Sequence, residues 1–99
     1  MILEHADIRI DPSKRAAFEE AILRGVNTVI AQAKGFKGFQ VQRSIESPGR
    51  YLLLIQWETL ENHTVDFRGS PDFAEWRALV GPYFETPPYV EHTETVLTT

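Results

Sequence analysis

The chain contains no cysteine, so a disulfide, a thiolate nucleophile and a cysteine-held zinc or iron–sulfur centre are all outside its reach. No apolar run approaches the roughly 18 residues that a membrane span requires. The opening, Met1-Ile2-Leu3-Glu4-His5, carries neither the basic region nor the apolar stretch of an export signal. Positive charge is also scarce: 10 Lys and Arg stand against 14 Asp and Glu, for a net charge of −4. That is the wrong sign for a protein whose partner is nucleic acid or an anionic membrane. A glycine-rich phosphate loop, a G-x-G-x-x-G turn, an HExxH helix and a His-x-His pair are missing too, so nucleotide, flavin and nicotinamide cofactors have no basis in the sequence. Ser44, Ser47 and Ser70 fall in turn or cap contexts, which leaves a serine triad without a nucleophile. These exclusions point to a cytoplasmic domain that handles something small, or another protein.

What is present suffices for one domain over residues 1–99, with 42% hydrophobic residues to build its core. Ile2 to Ile10 alternates, with Ile2, Ala6, Ile8 and Ile10 on one face and Leu3, His5, Asp7 and Arg9 on the other, which predicts a strand. Asp11-Pro12 reads as a helix start. Phe18, Ile22, Val26, Val29 and Ala33 then follow at helical spacing until Gly35 ends the run. Phe39, Val41 and Ile45 predict a second strand, Ser47-Pro48-Gly49 a turn, and Arg50 to Glu58 a third strand. The third strand is apolar on both faces: Tyr51, Leu53, Ile55 and Trp57 on one, Leu52 and Leu54 on the other. A strand of that kind belongs to a sheet covered on both sides. The helices suffice for one side, so the other is expected to meet a second copy.

Thr59 caps a second helical region with the stripe Leu60, His63 or Thr64, and Phe67. Gly69 interrupts it and Ser70-Pro71 restarts it, with Phe73, Trp76, Leu79, Val80 and Tyr83 on its apolar face. Tyr89 to Leu97 alternates as a fourth strand. The order strand, helix, strand, strand, helix, strand is the split ferredoxin-like arrangement, α+β with a four-stranded antiparallel sheet. Right-handed crossovers place the first strand between the third and fourth.

The candidate chemistry rests on three histidines and a set of aromatics. His63 shares a stripe with apolar residues and is expected to face the sheet. A histidine so placed is most often a hydrogen-bonded core residue, yet a neutral imidazole beside a pocket is also a base towards an acidic O–H or C–H. His5 and His92 fall on strands that the topology makes neighbours, and three convergent histidines would suit a metal. Against that, His5 has a solvated or dimer-facing alternative, and His92 between Glu91 and Glu94 has a cross-strand one. Trp57, Phe67, Phe73, Trp76 and Tyr83 are core residues first. A pocket among them would be apolar and suit a flat hydrophobic ligand. Arg68, next to the Gly69 break, is placed to reach a ligand oxygen.

The stretch from Trp57 to Phe73, WETLENHTVDFRGSPDF, with Trp76-Arg77-Ala78-Leu79 after it, resembles the antibiotic biosynthesis monooxygenase domain family. Leu3-Glu4-His5-Ala6, Gly35-Phe36 and Val90-Glu91-His92 extend the resemblance over nearly the whole chain. It implies a dimeric α+β barrel, two ferredoxin-like units packed sheet to sheet through a homodimer interface. It also implies oxidation of a small aromatic substrate, quinol-like or anthrone-like, by dioxygen with no metal or flavin. On this reading His63 is the base, and Trp57, Phe67, Arg68, Phe73, Trp76, Tyr83, His5 and His92 surround the substrate. The haem-degrading branch would need matches near Ala6, Phe67 and Arg77 that this sequence lacks. Two alternatives stay open on the same residues: a non-redox cyclase or isomerase, and a non-catalytic dimer that binds a small ligand.

Overall fold

A computed structural model describes all 99 residues. Its elements are β1 (Ile2–Arg9), α1 (Arg15–Thr28), β2 (Phe36–Arg43), β3 (Arg50–Trp57), a π-helical turn (Asn62–Phe67), α2 (Pro71–Val80) and β4 (Tyr89–Glu94). The four strands form one antiparallel sheet in the order β2-β3-β1-β4. This is the ferredoxin-like α+β fold, with β1 between β3 and β4 as the crossover rule requires.

The alternation of β1 and β3 assigns the two faces of the sheet. Ala6, Ile8 and Ile10 pack with Tyr51, Leu53, Ile55 and Trp57, and α1 lays Phe18, Ile22 and Val26 over them. Val29 and Ile30, just past α1, and Phe67, Trp76 and Val80 from the second helical region complete this core. The opposite face carries Leu3, His5 and Asp7 of β1 and Leu52 and Leu54 of β3, all half-buried. No helix covers that face, in keeping with the doubly apolar pattern of β3.

Local chemistry explains the boundaries. Asp11 accepts a hydrogen bond from the Ser13 amide at 2.9 Å and starts a 3₁₀ turn, Pro12–Lys14, that leads into α1. α1 stops at Thr28, short of the run expected to reach Gly35, and a 3₁₀ turn, Ile30–Gln32, follows it. Gly35 itself has φ +84° in the turn before β2, and a Cβ there would sit 2.0 Å from the Asn62 side-chain oxygen. Three other expectations are corrected. β2 starts at Phe36 and ends at Arg43, so Ile45 lies beyond it, 93% exposed. β4 ends at Glu94, leaving Val96 and Leu97 outside the sheet. Leu60 lies outside the apolar stripe, exposed, because the turn after it is wider than an α-helix.

Candidate active site

The site begins with how the chain leaves β3. Thr59 and Asn62 cap each other: the Thr59 amide donates to Asn62 Oδ1 at 3.1 Å, and the Asn62 amide donates to Thr59 Oγ1 at 3.2 Å. This reciprocal pair is a capping box with asparagine in the third position. The turn that follows is π-helical, closed by the Arg68 amide donating to the His63 carbonyl at 3.1 Å, five residues back. Turns of this width are rare and concentrate at functional sites. Here the extra residue puts both His63 and Phe67 under the turn, buried against the sheet.

His63 lies flat on the Trp57 indole, with ring centroids 5.3 Å apart and planes 14° from parallel. Phe67 flanks both rings, and Phe73 meets Phe67 edge-on at 5.8 Å. Neither nitrogen of the His63 imidazole is free. Nδ1 is 2.8 Å from Nε2 of His92, in hydrogen-bond contact. Nε2 is 3.3 Å from Oε1 of Glu4. The same Glu4 oxygen accepts the Trp57 indole N–H at 2.9 Å. A buried line thus runs Trp57–Glu4–His63–His92, and only its last member, half-buried on the edge strand β4, reaches towards solvent.

Burial shapes the proton affinities along this line. Desolvation pushes the Glu4 carboxyl up to about 7, against the opposing pull of the Trp57 hydrogen bond and the Arg68 charge. Desolvation, then the charges of Arg68 and His92, lower His63 to about 3. His92 is lowered in the same way, by burial first and by Arg68 and His5 after it. Near neutral pH both imidazoles are therefore uncharged, and the contact between Glu4 and His63 is no ion pair. Glu4 is the member that sequence reasoning missed. Strand parity was the available signal, since position 4 shares the inward face of β1 with Ala6 and Ile8.

The remaining candidates divide by location. Trp57, His63, Phe67, Phe73 and His92 come together in one cluster. Arg68 follows it, exposed, at the end of the π-helical turn. Trp76 packs against Gly25 of α1, and Tyr83 meets Phe18 edge-on at 5.8 Å. His5 points to the opposite face of the sheet, where Nε2 meets Thr93 Oγ1 at 2.8 Å. The three histidines therefore do not converge.

A surface cleft lies elsewhere. A space of about 710 Å³ opens between α1 and β2, at the other edge of the sheet from β4. In it Glu19 Oε2 accepts from Tyr51 Oη at 2.6 Å and from Arg43 Nη1 at 2.8 Å. Volume and chemistry thus separate. The largest shifts of proton affinity lie on the buried line, at Glu4 and His63, whereas Glu19 and Arg43 in the cleft lie half open to water.

The fold defines the class, a ferredoxin-like α+β domain with its helices on one face of the sheet. The chain belongs to the antibiotic biosynthesis monooxygenase family, whose sequence profile matches residues 1–79. The matched part holds Glu4, Trp57 and His63, while His92 lies beyond it. A solved structure from Bordetella bronchiseptica, named for the same family, is 46% identical with a TM-score of 0.91 and covers 97% of each chain. A second, from Caulobacter crescentus CB15, is 26% identical with a TM-score of 0.81, over 97% of this chain and 90% of that one. YczJ of Bacillus subtilis (strain 168), an uncharacterized protein, is 38% identical over 96 residues, 97% of this chain and 100% of its own.

Proposed function

We propose that this protein is a monooxygenase that oxidises a small, electron-rich aromatic substrate of the quinol or anthrone kind with dioxygen, without metal or flavin. The observation that carries the reading is the buried line Glu4–His63–His92, a proton-accepting device set in an apolar, aromatic surround. Family membership supports the oxygenation, and the chemistry asks of the protein only what these residues supply. Removing a proton from the substrate turns it into an electron-rich anion. The anion passes one electron to dioxygen, the radical pair combines, and the peroxide loses water. A CH₂ thereby becomes C=O, with the second oxygen atom leaving as water. The exposed Arg68 guanidinium favours negative charge near the line.

The same reading includes a homodimer through the open face of the sheet and a cytoplasmic location, with no role for nucleic acid or membrane. No helix is long and apolar enough to cross a membrane.

Oxygen uptake over a panel of anthrones and quinols is the test. We expect turnover with at least one of them, reduced about 10²-fold or more in His63→Ala, the scale of general-base catalysis. Turnover untouched by His63→Ala would remove His63 from the reaction. Turnover that proceeds equally under argon would move the protein to the cyclase and isomerase reading.

A further inference from the structure

We propose that His92 Nδ1 is the atom that takes the substrate proton, that His63 passes it inward, and that the Glu4 carboxylate is where it comes to rest. This deepens the oxidation reading and rests on it only for the source of the proton. On this view His92 is the catalytic residue, and His63 and Glu4 are positioning residues that act through it.

The geometry gives the order. His63 is 4% exposed, stacked on Trp57, and has a protein atom against each ring nitrogen, so no substrate reaches it directly. His92 Nε2 is committed to His63, but its Nδ1 makes no hydrogen bond to the protein, and its ring is half-buried on an edge strand. The proton positions follow from the buried end. A carboxylate only accepts, so the His63 nitrogen that faces Glu4, Nε2, carries a hydrogen. His63 Nδ1 is then a bare lone pair, and the hydrogen in the 2.8 Å contact belongs to His92 Nε2. That leaves the outward His92 Nδ1 as a lone pair too.

Transfer balances without creating a buried charge. The substrate O–H or C–H breaks as N–H forms at His92 Nδ1. The His92 Nε2 hydrogen moves to His63 Nδ1, and the His63 Nε2 hydrogen moves to Glu4. Both imidazoles end neutral, each in its other tautomer, and Glu4 ends as a carboxylic acid donating back to His63 Nε2. Proton affinities agree with this direction. The imidazoles are lowered and hold a proton poorly, whereas Glu4 is raised into the neutral range. The charged and titratable groups around Glu4 are His92 from β4, His63 from the π-helical turn, and Arg68 beyond it; His5 acts on His92. β3 contributes only Trp57, which does not titrate.

Nitrogen-15 and carbon-13 NMR on the labelled wild-type protein tests this with no substrate present. As pH falls through about 7, we expect His63 and His92 to switch together from Nε2–H to Nδ1–H tautomers while staying uncharged. The Glu4 carboxyl carbon should titrate with the same midpoint. Glu4→Gln keeps an oxygen for Trp57 and His63 but cannot take a proton, so its rings should show no switch. Rings that keep one tautomer across that range, gain positive charge there, or still switch in Glu4→Gln overturn the proposal. Should Glu4→Gln fail to fold, the wild-type titration decides alone. A tautomer switch without oxygen uptake would leave the relay standing and end the oxidation reading. Oxygen uptake without a switch would do the reverse.

Discussion

Glu4 and His63 pull the stability of the fold in opposite directions as pH changes, and each masks the other. Folding takes Glu4 from 4.5 to about 7, so between those values the folded chain holds a proton that the unfolded chain has released, and stability falls as pH rises. Folding takes His63 from 6.5 to about 3, so between those values the unfolded chain holds the extra proton, and stability rises with pH. Each slope approaches about 1.4 kcal/mol per pH unit. Over the shared window, 4.5 to 6.5, the two cancel. His92, lowered as His63 is, adds a smaller rise below its ordinary value. Urea unfolding of the wild type should therefore vary little with pH across that window. Glu4→Gln should expose stability that rises with pH from about 3 to 6.5. His63→Gln should expose stability that falls from about 4.5 to 7. Identical profiles for all three proteins would show that neither group changes its proton affinity on folding.

Between the elements, α1 and α2 approach closely at Gly25. Gly25 sits inside α1, where alanine would normally add about 1 kcal/mol of helix propensity. A Cβ at that position would stand 2.8 Å from two ring carbons of Trp76, which is itself buried. Overpacking of this kind costs about 1–3 kcal/mol, so the clash outweighs the propensity. We expect Gly25→Ala to lose about 1 kcal/mol net, a fall of roughly 4–8 °C in Tm for a domain of this size. A Tm that rises instead would show that the indole moves aside freely. This contact was invisible in the sequence, because periodicity reports which face of a helix is inward and not how closely two backbones approach. The period-2 runs of β1 and β3, the Asp11-Pro12 start and the Thr59 cap were all legible, since each is decided by neighbours in the chain, whereas the end of α1 at Thr28, seven residues before Gly35, was not. The π-helical turn was not. A stripe read at 3.6 residues per turn includes Leu60, and the wider turn leaves it outside. His63 was legible as an inward residue, but its partners were not, because Glu4 and His92 arrive from strands 59 and 29 residues away in sequence. Ile45, Val96 and Leu97 show the converse failure: apolar alternation continued past the last strand partner.

For the molecule as a whole, the two faces of the sheet differ in cover and in content. The helix-covered face holds Glu4 and His92 beneath His63. The open face has Leu3, Leu52 and Leu54, all half-buried, at its centre. Satisfied polar groups lie beside them: the Asp7 carboxylate, next to Leu52, takes Arg50 at 2.9 Å, and His5, next to Leu54, meets Thr93. Apolar residues at the centre with satisfied polar groups beside them are the anatomy of an interface between copies, and a two-fold axis through such a face makes it self-complementary. Sedimentation velocity at micromolar concentration should therefore report a dimer. Leu54, paired with His5 of β1 and Gln40 of β2, is at the middle of the face, so Leu54→Asp would bury a carboxylate there in any dimer. We expect that variant to sediment as a folded monomer, and a stable wild-type monomer would end the proposal of association. The same variant separates the two faces. Its substitution lies on the far side of the sheet from the relay, so the monomer should keep the tautomer switch of His63 and His92 near pH 7. Loss of the switch along with the dimer would mean that the buried line depends on the partner subunit.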